Sequence, residues 1–85
     1  MNTLPAEAPR ELLCHCQSRL FEVVRFGEFG IFLVVVCGGI AMYDRIIKLE
    51  QSEITAFEQC GESALYGLAY AICKDGHKDR EWTLP

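Results

Sequence analysis

The run "FGIFLVVVCGGIAMY", Phe29 to Tyr43, holds no charged residue and carries two adjacent glycines just past its middle. A stretch this apolar either enters a membrane or lies inside a folded core, so it constrains every other choice. As one helix it would rise about 1.5 Å per residue and reach roughly 22 Å, short of a hydrocarbon layer of about 30 Å. Glu28 closes one end and Asp44 with Arg45 the other. Lengthening the span would carry those charges toward the bilayer centre at several kcal/mol per group.

The residue types point instead to strand. Ile31, Val34, Val35 and Val36 are β-branched and Phe29 and Phe32 aromatic, types that fit a pleated, half-buried surface. Gly38-Gly39 supplies the positive φ that a two-residue hairpin turn requires, and Gly27-Glu28 marks a second turn upstream. Three extended segments follow one another: about Arg19 to Phe26, Phe29 to Cys37, and Ile40 to Leu49. The outer two carry charge (Glu22, Arg25; Asp44, Arg45, Lys48) and the middle one none, the pattern of a meander whose central strand is shielded on both sides.

From Ser52 the period lengthens. Ile54, Phe57, Gly61, Leu65, Leu68 and Ile72 recur at helical spacing, with Ala64, Ala69 and Cys73 widening the stripe. Ser52 is the expected N-cap and Glu53 a first-turn carboxylate at the positive end of the helix dipole. Gly61 divides the pattern into helices of about Ser52 to Cys60 and Glu62 to Lys74, and Gly76 is the expected stop. At the other end, Pro9 ahead of "RELLCHC" favours a short helix to about Cys16, although Leu12, Cys14 and Cys16 against Leu13, His15 and Gln17 also alternate as a strand would. The fold class expected is α+β: a three-stranded antiparallel β-meander followed by C-terminal helices packed on one face. It forms a single domain over residues 1–85, with flexible tails at about 1–8 and 77–85.

Eight basic against twelve acidic residues give a net charge of −4, which disfavours direct nucleic-acid binding or attachment to anionic lipid and favours a basic protein partner. The five cysteines show no paired spacing, and the start "MNTLPAEAPRELL" lacks a basic stretch followed by a long apolar one, so the expected address is cytoplasmic with thiols reduced.

"CHC" at Cys14, His15 and Cys16 is the most suggestive triplet for metal, but zinc wants three or four converging ligands, usually from spaced pairs. Cysteine beside histidine also raises nucleophilic catalysis, which needs a base within reach of the thiol; adjacent side chains here point to different faces. No catalytic residue, metal site or cofactor is therefore expected, and the chain is not read as an enzyme. Glu50, Glu53, Glu58 and Glu62 gather at the start of the helical half with no lysine or arginine among them. They form either a solvated face or an acidic patch complementary to a basic protein surface. Trp82, a large aromatic in a charged tail, either folds back over the core or anchors a partner.

The segment "YDRIIKLEQSEITAFEQCGESALYGLAYAIC", Tyr43 to Cys73, runs from a strand through an acidic helix start, E-I-x-x-F, a glycine, and A-L-x-x-L-A-x-x-I. It resembles the C-terminal half of some small bacterial immunity proteins. In size and acidity the chain is similar to phage-encoded inhibitors of bacterial defence nucleases. The resemblance implies a compact α+β inhibitor that occupies the functional surface of a toxin, nuclease or other effector, with no chemistry of its own. The partner-binding residues expected are Glu50, Glu53, Glu58, Glu62 and Trp82, and so small a sheet leaves room for a homodimer. Two alternatives from other classes stand beside this: a small single-pass membrane protein using Phe29 to Tyr43, and a metal- or thiol-dependent regulator centred on Cys14, His15 and Cys16.

Overall fold

The computed structural model describes residues 2–38, 42–74 and 76–83. Among them the chain runs β1 (Asn2–Thr3), β2 (Arg10–Cys16), β3 (Phe21–Phe26), β4 (Ile31–Cys37), β5 (Tyr43–Lys48), α1 (Gln51–Cys60), α2 (Tyr66–Cys73) and β6 (Glu81–Thr83). The fold is α+β. The strands form one sheet in the order β1-β6-β5-β4-β3-β2, antiparallel throughout except where β1 pairs parallel to β6.

The expected meander is β3-β4-β5, with the uncharged strand between its neighbours. Its turns differ from expectation. Gly27–Phe29 winds as a 3-10 turn rather than a two-residue hairpin, so Phe29 leaves the strand. Gly27 has φ +53, and a Cβ there would come within 2.9 Å of Pro9 Cδ; the close approach of the N-terminal segment requires glycine. Between β4 and β5 the register pairs Cys37 with Tyr43, so residues 38–42 separate the paired positions and the connection is longer than two residues. Of the expected Gly38-Gly39 turn, Gly38 has φ +92, while Gly39 lies outside the described residues, as do Ile40 and Ala41 at the start of the expected third segment.

The short N-terminal helix is replaced by β2. A β-bulge between Leu12 and Cys14 sends both Leu13 and Cys14 toward the helical layer, and antiparallel pairing gives the outer edge of β3 its hydrogen-bond partners. The alternation that competed with the helix is thus the one realised, with one residue inserted. In the helical half, Glu50 rather than Ser52 is the N-cap, its N–H donating to Glu53 Oε1 at 2.8 Å. After Gly61, residues Gly61–Leu65 form a 3-10 turn before α2 begins at Tyr66.

The sheet is apolar on both faces. Phe21, Val23, Leu33, Val35, Cys37, Ile47 and Leu49 meet Leu65, Ala69 and Ile72 beneath the helices, with Ile54, Phe57 and Leu68 packed against them. The strand alternation sends Val24, Phe26, Phe32, Val34 and Ile46 to the opposite face, where no helix lies among the described residues; Leu4 and Trp82 cover them. Phe32 meets Phe26 and Trp82 edge-on at 5.4 and 5.2 Å. Within the segments expected to be flexible tails, the described residues 2–8 and 77–83 therefore carry structure. Leu4 is 0% exposed and its N–H donates to Thr83 O at 2.8 Å, while β6 pairs with β5 through Ile46–Trp82 and Ile47–Glu81.

Replacing Leu4 with alanine deletes fully buried methyl groups from this second layer. Urea denaturation should show a loss of about 2–5 kcal/mol; an unchanged midpoint would mean that the N-terminal segment does not pack on the sheet.

Candidate functional site

Acidic and aromatic groups converge where β5 gives way to α1 and β6 returns beside it. An open recess of roughly 410 Å³ there is lined by Lys48, Leu49, Glu50, Asp79, Arg80 and Trp82. Each wall has a local cause. Lys48 is the last residue of β5 and Glu50 the N-cap of α1, so the strand-to-helix turn sets them side by side. A 3-10 turn, Lys78–Arg80, follows His77, which takes a left-handed conformation at φ 60, and delivers Asp79 and Arg80 before Trp82 enters β6.

Trp82 is half-buried. Its ring packs on Phe32 and lies 6.1 Å from Phe29, edge-on, and Lys48 Nζ stands 5.7 Å from its centroid. Of the two fates open to it, Trp82 folds back over the core and leaves part of its surface at the recess. This geometry favours a cation–π contact with Lys48.

The four glutamates do not act alike. Glu53 pairs with Arg80 at 2.6 Å, the two side chains 23% and 18% exposed, and Arg80 also donates to Lys48 O at 2.8 Å. Burial opposes ionisation of Glu53, but hydrogen bonds from Arg80 and the Glu50 N–H, with the guanidinium charge, outweigh it and hold the carboxyl below its ordinary range. Glu53 is thus a strut that fixes Arg80 and the recess wall. Glu62 is half-buried at the far end of α1, accepting from Tyr66 Oη at 3.4 Å and from Cys14 Sγ at 3.7 Å. Glu50 and Glu58 are exposed, with Glu58 about two turns along α1 from the recess. The structure therefore brings Glu50, Glu53 and Trp82 to one place and sets Glu58 and Glu62 apart. Asp79 and Arg80, which complete the recess, had no signal in the sequence, because their position depends on β6 pairing with β5.

In the "CHC" triplet, Cys14 and Cys16 turn to the helical face while His15 faces the other way, its Nδ1 3.2 Å from Glu22 Oε2. Among the described residues no three histidine, cysteine or acidic side chains gather to hold a metal ion. Burial and the neighbouring Glu62 carboxylate push the Cys14 thiol up, which keeps it protonated and a poor nucleophile. No helix among the described residues is long and apolar enough to cross a membrane; Phe29 to Cys37 is turn and strand.

The chain matches no protein-family model, no curated protein and no solved structure.

The depressed Glu53 carboxyl contributes stability that is fully present above the unfolded carboxylate range and is lost as pH falls through the folded value. Glu53→Gln should cost about 1–2 kcal/mol at pH 7. The difference from the parent protein should shrink toward zero by about pH 3. Urea titrations at the two pH values check this, and a pH-independent difference would contradict it.

Proposed function

We propose that this protein is a non-catalytic binding protein of the inhibitor type, which blocks a functional surface of a basic protein partner through the recess between Glu50, Asp79 and Trp82. The observation that carries the reading is the meeting of a partly exposed tryptophan with two carboxylates at a concave site. Aromatic side chains in partly desolvated hollows commonly anchor protein interfaces, and a net charge complementary to the partner's speeds encounter and sets register. The net charge of −4 acts in the same direction. Arg80, paired with Glu53, serves as framework, and Lys48 offsets one of the two remaining carboxylates, Glu50 and Asp79, so the recess keeps one net negative charge.

The expected site is accordingly narrower than the four-glutamate patch. Glu50 and Trp82 carry contact, Glu53 holds the wall, and Glu58 adds long-range attraction. A toxin, a nuclease or another effector with a basic face fits this chemistry, and occupation of that face requires no reaction by the inhibitor. The cytoplasm suits a chain with five thiols.

The test is capture from the native cell, with the retained protein identified by mass spectrometry and its affinity then measured directly. Glu50→Lys with Asp79→Lys should weaken binding about tenfold or more and flatten its salt dependence, whereas reversal of exposed Glu11, on β2 at the opposite edge of the sheet from β6, should not. Equal affinity for the parent and the doubly reversed variant would remove the recess from the interface.

A further inference from the structure

At the opposite end of the helical layer, two of the five cysteines approach each other. Cys37 ends β4 and Cys73 ends α2, and their Sγ atoms lie 3.1 Å apart. A disulfide needs about 2.05 Å, so closure asks for roughly an ångström of side-chain adjustment. The two thiols differ in access. Cys37 is 2% exposed, and burial followed by its hydrogen bond to Cys73 pushes its thiol up to about 12. Cys73 is exposed and lines a cleft of roughly 250 Å³ with Arg19, Tyr66 and Tyr70. Arg19 stacks over the Tyr66 ring at 4.6 Å and Lys74 stands 5.5 Å from that of Tyr70, so two cations stand at the cleft that exposes the accessible sulfur, against one carboxylate, Glu62, held on the Tyr66 hydroxyl.

We propose that Cys37 and Cys73 form a reversible intrachain disulfide by exchange with an anionic low-molecular-weight disulfide admitted at this cleft. The Cys73 thiolate attacks one sulfur of the small disulfide, forming a mixed disulfide and expelling one small thiolate. Cys37 then gives up its proton and attacks Cys73 Sγ, expelling the second small thiolate, which takes that proton. Two protein thiols are oxidised to one disulfide and one small disulfide is reduced to two thiols. Cys73 is the entry residue because it is the one solvent reaches, and Cys37 resolves the intermediate because it is already in van der Waals contact. The product bolts the end of the central strand to the end of α2.

Reduced protein incubated with oxidised glutathione at pH 8 tests this, read by intact mass, thiol counting after unfolding, and peptide mapping. Free thiols should fall from five by the two of this pair, with a mass loss of about 2 Da, no retained glutathione and a Cys37–Cys73 cross-link. Thermal stability should rise by on the order of 10 °C and return on reduction. Cys37→Ala should trap one glutathione on Cys73. Cys73→Ser, at an exposed position that folding tolerates, should abolish the cross-link. Arg19→Ala should slow the reaction severalfold. Persistence of all thiols, or a cross-link between other cysteines, would overturn the pair, and an unchanged rate in Arg19→Ala would overturn the preference for an anionic disulfide.

Discussion

One buried guanidinium holds the parts of this protein together. Arg45 is 3% exposed on the helical face of β5. It donates from Nη1 to the backbone carbonyls of Ile72, in the last turn of α2, and Gly76, and from Nε and Nη2 to Glu81 Oε1 at 3.2 and 2.9 Å. Taking such a charge out of water costs several kcal/mol, recovered only where its donors are met. Here they are met by the helix end, whose dipole favours a cation, and by the strand that returns to the sheet. No buried side-chain nitrogen or oxygen among the described residues lacks a partner. A substitution at Gly76 would put a Cβ 2.8 Å from Ala71 O, so the chain can pass this close to α2 only as glycine.

From that junction the rest follows in order. Glu81 is set opposite Ile47 in the register, which places Trp82 opposite Ile46 on the other face. There Trp82 and Leu4 close a second apolar layer over Phe32 and Val24. The same placement brings Trp82 beside Lys48 and Glu50 and creates the recess. A sheet of this size with helices on one face would leave large aromatic groups in water on the other. The two ends of the described chain remove that exposure by pairing with each other along one edge, at Asn2–Trp82 and Thr3–Thr83. The partner-facing feature of the proposed function is thus a by-product of how the sheet covers its second face.

The central strands were legible because Phe21–Phe26, Ile31–Cys37 and Tyr43–Lys48 are dense in β-branched and aromatic residues between glycine-marked turns, a signal that lies within each segment. β2 was legible only as the alternative to a short helix, through the alternation of Leu12, Cys14 and Cys16 with Leu13, His15 and Gln17; the bulge that turns Leu13 and Cys14 to one face depends on pairing with β3 and left no local signal. β6 was not, because three residues, Glu81–Thr83, cannot display a period and gain their conformation from non-local partners. The helical stripe was legible at Ile54, Phe57, Leu65, Leu68 and Ile72, but the 3-10 winding after Gly61 was not, since its apolar spacing differs little from an α-turn over five residues. In the sequence Arg45 is one of the charges that close the apolar run. Its alternation with Ile47 and Leu49 held a trace of its burial, yet the carbonyls and carboxylate that receive it come from residues 72 to 81. The recess was illegible for the same reason: Glu50 and Trp82 meet only through the pairing of β6.

The measurement that tests this account most directly is a double-mutant cycle at Arg45 and Glu81, with stability read by urea denaturation of the parent, Arg45→Met, Glu81→Gln and the double variant. Leaving the guanidinium buried without its carboxylate, or the helix end without its cation, predicts that each single change costs about 2–4 kcal/mol. The double variant should then be less destabilised than the sum by at least about 1 kcal/mol. Single losses that add within about 0.5 kcal/mol, or an Arg45→Met variant as stable as the parent, would contradict the claim that this contact joins sheet, helix and returning strand.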